Sequence, residues 1–370
     1  MKRVDSFQFL RFLAALSVIF YHYGQGIWLS KTFHLFVFNG PRMFSLFYVL
    51  SGFVLTVSHI KRNIANLRDY YVSRIARIVP VYMVALFLSA LLSGSVSITA
   101  LFLNLTFLQA WFPPYPLSIN SPAWSLSVQA FFFFIFPFIL SAIQKNNLSW
   151  QKFGLIALVF YVFTQAIISN LMSADFYTGF PSPSHDLIYY FPLPHLCSFI
   201  LGMAGGYLYA SRPEWFNKPG YLPLFALIGA IAINFLILQY PDNLQSIAGF
   251  PLVYGASFNS LPYLLLILGL AYSQSFITRA MALPFLEKLG EISYSLYILQ
   301  QPIETLYREH ILTHIAGLIK IIPDGSFYIY VLLLILISFG SLYCIEKPGK
   351  KLILEINKSF QKMHWIVNTL

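Results

Sequence analysis

Apolar runs of about twenty residues follow one another along nearly the whole chain, and most of the charged residues fall in the gaps between them. A helix needs about 20 such residues to cross a hydrocarbon core. Only 10% of the 370 residues are charged, against roughly 25% in a soluble domain, and 58% are hydrophobic. The pattern predicts an all-α, polytopic transmembrane helix bundle of about ten helices. The spans fall near 7–28, 40–58, 78–94, 123–143, 152–171, 192–210, 221–239, 256–273, 289–309 and 325–345.

Lys2 and Arg3 precede the first apolar stretch as they would in a signal peptide. Arg11 interrupts that stretch and no small-residue cleavage site follows, so it reads as a mature helix. The net charge of +10 is explained by where the cations sit. With a cytoplasmic N-terminus, Lys2, Arg3, Lys61, Arg62, Arg68, Arg74, Arg77, Lys145, Lys152, Arg212, Lys218, Arg279, Lys288 and the tail lysines all lie inside. Lys31, Arg42, Arg308 and Lys320 lie at outer ends. The charge therefore reports topology with both termini cytoplasmic, and no nucleic-acid partner is expected. Residues 1–348 read as one transmembrane domain and 349–370 as a basic cytoplasmic tail. The uncharged stretch Ser95–Ala123 is too short in its apolar part for a span and reads as an interfacial or re-entrant piece, with Trp111, Pro113, Pro114, Tyr115 and Pro116 anchoring it at headgroup level. Cys197 and Cys344 lie in separate apolar runs and read as packing residues; no metal site is expected.

Arg11 and His22 are eleven positions apart, close to three helical turns. They share a face of the first helix and are separated by ~16 Å along its axis. Ionisable groups inside a membrane are costly unless they are paired or line a wet cavity, which makes a shared stripe a functional candidate facing the bundle interior. The alternative has Arg11 snorkelling to the surface and His22 bonding a neighbouring helix. The most basic loop, His59 to Arg77, ends with Arg74 and Arg77 at i, i+3 beside Pro80. Two guanidinium forks at that spacing can converge on phosphate, although contact with anionic lipid also explains the loop's charge. A phosphate site below a membrane histidine suits acyl-CoA, with its pantetheine arm along the Arg11 stripe and its thioester near His22. The imidazole would take the proton of an attacking hydroxyl or be acylated itself.

These residues resemble the membrane acyltransferase 3 family. The first helix with Arg11 and His22 separated by ten residues is similar to the family's signature. Phe47-Tyr-Val-Leu-Ser-Gly-Phe53 resembles its Phe-Phe-Val-Leu-Ser-Gly-Phe, Arg74-Ile-Ala-Arg77 its Arg-x-x-Arg, and Trp124-Ser-Leu-Ser-Val-Gln129 its Trp-Ser-Leu-x-x-Glu. The stretch from Leu289 to Pro302 and Ile345-Glu-Lys-Pro348 resemble its last helices. Gln129 stands where the family usually has glutamate, and Gln300 where it often has histidine; glutamine can hydrogen-bond but cannot titrate. Gln8 leans towards the branch that modifies exopolysaccharides.

The resemblance implies transfer of an acetyl or similar acyl group from cytoplasmic acyl-CoA to a hydroxyl of a surface or lipid-linked glycan, in a bacterial inner membrane. It implies His22 as base or acyl carrier and Arg11, Arg74 and Arg77 as donor-binding cations. With only about two dozen residues after Pro348, transfer is expected to finish within the bundle. Trp124, Gln129, Gln300 and Glu304 are candidates for substrate binding; Trp124 and Tyr294 could stack on sugar, although in a chain that is 18% aromatic packing is the favoured reading for both. A carboxylate in a span, as at Glu304, requires a partner or a cavity. His195, at the outer end of its span, reads as a headgroup-level residue, with a place lining an acceptor mouth as the alternative, and His185 and Asp186 read as solvated loop residues. Rival readings are a flippase for a lipid-linked anionic glycan, which the absence of an internal repeat disfavours, and an inactive scaffold of glycan assembly.

Overall fold

The computed structural model describes residues 6–28, 40–61, 64, 66–215, 222–253, 256–312, 314 and 324–369. Lys2, Arg3, Lys31, Arg62, Lys218 and Lys320 of the charge pattern lie outside the described residues. The elements found are helices: α1 (Ser6–Tyr23), α2 (Met43–His59), α3 (Leu67–Leu92), α4 (Trp124–Lys145), α5 (Trp150–Ser173), α6 (Pro192–Ser211), α7 (Leu222–Gln239), α8 (Ser260–Tyr272), α9 (Ser293–Leu306), α10 (Gly325–Ser341) and α11 (Lys347–Thr369), with shorter pieces between them.

Among the described residues, six helical stretches are long and apolar enough to cross a membrane, and a seventh if α7 is joined to Pro241–Ala248 across a 90° bend. The chain is a multi-pass membrane protein. Each of the ten expected spans contains a helix, yet four fall short of the expectation. Helix α1 carries Gln8, Arg11 and His22 and is diluted in apolar character. Helix α7 stops where Pro241 follows, since a residue before proline is pushed out of the helical region. Helix α8 has only 13 residues, ~20 Å of rise against a core of about 30 Å, and α9, which continues through the π-helical turn Tyr307–Ile311, carries Glu304, Arg308 and Glu309. The stretch expected to be interfacial forms the eight-residue helix Ile98–Leu105 and two 3₁₀ turns, with Trp111 packed edge-on against Phe131 and Phe191.

The lipid-facing side is legible on α5. Its outer face shows Leu155, Val159 and Phe163, each more than half exposed, while Tyr161 and Gln165 turn inward to Phe258 O and Ser257 Oγ. The tightest pair is α2 against α6. A Cβ on Gly202 would stand 2.0 Å from Val49 O, and one on Gly206 2.5 Å from Phe53 O. Glycines four apart let the backbones meet, the small-residue packing that membrane helices use where lipid removes the hydrophobic incentive. Phe132 and Phe199 stack at 4.7 Å beside this seam.

Helix α1 is pinned to the segment Pro284–Glu291, where a Cβ on Gly290 would meet Gln8 O at 2.4 Å. Helices α10 and α11 run almost continuously through a π-helical turn, Leu342–Glu346. The tail thus continues the last helix and docks along α3: Asp69 Oδ1 accepts hydrogen bonds from Asn357 Nδ2 (2.7 Å) and Gln361 Nε2 (2.6 Å).

Candidate active site

Helices α1, α2, α3, α4 and α9 surround a cavity of about 1010 Å³. It reaches from Lys61, just past the end of α2, to Phe44 near its start. Those seventeen positions correspond to ~25 Å of helix. Cations crowd one end. Arg11 arrives from α1, Lys61 from beyond α2, and Arg74 and Arg77 from the first half of α3, whose start is capped by Asn66 accepting Arg68 N at 2.9 Å. Among the described residues no carboxylate lines the cavity.

The arginines are held in place. Arg74 lies over the rings of Tyr70 (5.5 Å) and Phe133 (5.9 Å), and its Nε donates to Ser73 Oγ at 3.2 Å. Glu346 interacts electrostatically with both Arg77 and Arg11. Its carboxylate accepts a 3.1 Å bond from Ser295 Oγ on α9. Glu346 closes the π-helical turn, a rare distortion that recurs at functional sites. Tyr294 OH, donating to Ile78 O at 2.7 Å, fixes the wall between α9 and α3.

Farther in, Gln129 Nε2 donates to Ser51 Oγ at 2.9 Å. The far end is aromatic and closed. Tyr297 OH donates to Pro122 O (2.6 Å) and lies 2.7 Å from Ser125 Oγ, while Phe44 rests edge-on against Trp124 at 4.6 Å. Behind Trp124 stand Tyr190 and His195.

The expected donor cations Arg11, Arg74 and Arg77 are therefore brought together, with Gln129 on the same cavity. His22 is not. It is exposed near the other end of α1, flanked by the rings of Tyr21 and Tyr23, and does not line the cavity. The shared helical face is real, but the cavity reaches along α1 only as far as Arg11.

Trp124 is buried behind the cavity wall, and Tyr294 lines the cavity near Arg77, so the two do not form one sugar platform. Gln300 is fully buried; its Nε2 donates to Tyr297 O (2.7 Å), and its Oε1 has no partner among the described residues. Its backbone carbonyl accepts from Tyr330 OH, whose ring packs on Tyr23 beside His22. Glu304 pairs with Arg308 one turn on, which supplies the partner its position requires. His195, in the first turn of α6, is buried, its Nε2 donating to Tyr189 O at 2.9 Å. His185 and Asp186 are not in a solvated loop: they sit in the short helix Pro183–Tyr189, Asp186 buried and His185 stacked on Tyr189 at 4.3 Å. Cys197 is buried and Cys344 is exposed on its helix. Among the described residues no three His, Cys, Asp or Glu side chains gather as a metal site would require.

Lys61 and Glu346 join the site only through the fold: in the sequence Lys61 is one cation of the basic loop from His59 to Arg77, and the signal for Glu346 is a carboxylate placed where a span meets a basic segment.

Comparison with known proteins follows the same lines. The acyltransferase MdmB of Streptomyces mycarofaciens is 25% identical over 319 residues, covering 80% of this chain and 78% of that protein. A Staphylococcus aureus (strain COL) protein named "Putative O-acetyltransferase" is 22% identical over 378 residues, covering 95% of this chain and 58% of its own length. The chain thus spans little more than half of the Staphylococcus relative. No solved structure matches. The family model described as an acyltransferase domain matches residues 4–346, nearly the whole chain, and the protein belongs to the acyltransferase 3 family.

Proposed function

We propose that this protein is an O-acyltransferase of the bacterial inner membrane that takes an acyl group from cytoplasmic acyl-CoA and delivers it to a hydroxyl of a surface or lipid-linked glycan. The observation that carries the reading is the cavity itself: four cations, with no lining carboxylate among the described residues, gather at one end of a ~25 Å channel into the bundle. Such a site suits a polyanionic head with a long uncharged arm. Arginine forks bind phosphate oxygens in pairs, and the cations stand on the side that the positive-inside pattern places in the cytoplasm.

The chemistry follows from the ends. The head of the donor is held by Arg74, Arg77 and Lys61, with Arg11 beside the arm, and the thioester points away from the basic end. His22, exposed at the opposite end of α1, serves the acceptor. As its imidazole takes the proton, the hydroxyl oxygen bonds to the acyl carbon, the C–S bond breaks, and the thiolate of coenzyme A leaves and is reprotonated. His22 and the cavity are separated in this conformation, so transfer requires a second conformation in which the acyl end and His22 meet.

Titration of coenzyme A into the purified protein in lipid nanodiscs tests the donor site. Saturable binding that weakens when Arg74 and Arg77 are both replaced by glutamate supports it; equal affinity for wild type and variant removes it.

A further inference from the structure

The basic end and the polar middle of the cavity account for a nucleotide head and a pantetheine arm; the closed aromatic end has no task in that account. We propose that this end is the acyl subsite and that Phe44 sets the longest acyl group the enzyme accepts, an inference that rests on the donor site proposed above. The argument begins with reach. The arm between the diphosphate and the sulfur has about a dozen backbone bonds, as many as four peptide residues, and extends to roughly 15 Å. Ser51 is ten positions from Lys61 along α2, ~15 Å, and Phe44 seven positions, ~10 Å, beyond that. A head held higher, on Arg77 and Arg11, brings the sulfur nearer to Phe44. Either way the acyl group falls between the Gln129–Ser51 pair and the wall.

That wall is stiff. Tyr297 is fixed through its hydroxyl to Pro122 O and Ser125. The loop behind it is fixed to α9 by Asn120 Nδ2 donating to Ile298 O (3.0 Å) and Ser121 N donating to Gln301 Oε1 (2.6 Å). Phe44 is 5% exposed and backed by Trp124, itself 4% exposed, so it cannot swing back out of the cavity wall. A close-packed wall of this kind resists an extra few methylenes.

The test uses the full chain in nanodiscs, titrated with coenzyme A and with its acetyl, butyryl and hexanoyl thioesters. Wild type is expected to bind coenzyme A and acetyl-CoA alike and hexanoyl-CoA about tenfold or more weaker. Phe44→Ala should restore hexanoyl-CoA to about the affinity of acetyl-CoA while leaving coenzyme A unchanged; Phe44→Leu, which keeps more of the packing, should restore it in part. Equal binding of hexanoyl-CoA and acetyl-CoA by wild type overturns the assignment. So does a loss in both variants that is the same for every thioester. If wild type binds no coenzyme A at all, the donor site itself fails, a result distinguishable from failure of the acyl subsite alone.

Discussion

Gln129 and Ser51 join helices α4 and α2 midway along the cavity, the amide Nε2 donating to the hydroxyl at 2.9 Å. The family resembled usually has glutamate at position 129. A carboxylate there would keep the pairing by reversing it, with Ser51 as donor. Gln129→Glu should therefore stay folded and retain acyl transfer within about threefold. Gln129→Ala should lose the link, worth about 1 kcal/mol, and lower the thermal midpoint of the detergent-solubilised protein. Abolished transfer in Gln129→Glu would show that the amide's donor is itself required.

The cations of the cavity should not contribute equally. Lys61 is an exposed point charge, and such charges are screened by salt. Arg74 is half-buried over the rings of Tyr70 and Phe133 and offers a fork. Arg74→Ala should weaken coenzyme A binding about tenfold or more, and Lys61→Ala only about two- to fivefold, at physiological ionic strength. Calorimetric titration of both variants would decide; equal losses would contradict the placement.

Glu346 balances two arginines at the junction of α9 and the π-helical turn. Glu346→Gln keeps the size and removes a negative charge that acts on both Arg11 and Arg77. The variant should melt at lower temperature than wild type when empty, and coenzyme A should raise its melting temperature by more than it raises the wild type's, because donor phosphates supply the missing negative charge. Identical ligand-induced shifts would remove Glu346 from the site.

The glycine seam makes a structural prediction that does not depend on function. Gly202→Leu would drive a side chain into Val49 O, which a Cβ alone already approaches to 2.0 Å. Overpacking of this kind costs about 1–3 kcal/mol or more, and a reduced thermal midpoint with loss of the monodisperse peak in gel filtration is expected. Gly154, with no atom near its Cβ position, should accept leucine without loss.

The sequence made the class of fold and half of the site readable, for reasons that differ by residue. Arg74 and Arg77 could be paired because i, i+3 spacing fixes neighbours on a helix. Helical periodicity also placed Arg11 and His22 on one face. It gives an angle and not the depth at which a cavity ends, so the separation of His22 from Arg11's cavity was invisible. The span expected at 289–309 runs across the break at Ile292 between Pro284–Glu291 and α9, because hydropathy averages over such breaks. Glu346 went unread because its partners, Arg11 and Arg77, are distant in the chain and meet it only after packing. The burial of Asp186 and His195 depends likewise on helices that the local sequence does not name.

The most direct test of the acyltransferase account is mass spectrometry and NMR of the surface glycan from cells carrying the wild-type gene, a deletion, or His22→Ala. The account predicts ester-linked acyl groups with wild type, and the same glycan at normal amount but without those esters in both the deletion and the variant. Unchanged acylation in the deletion would contradict it, and loss of whole glycan units would point instead to export of the glycan.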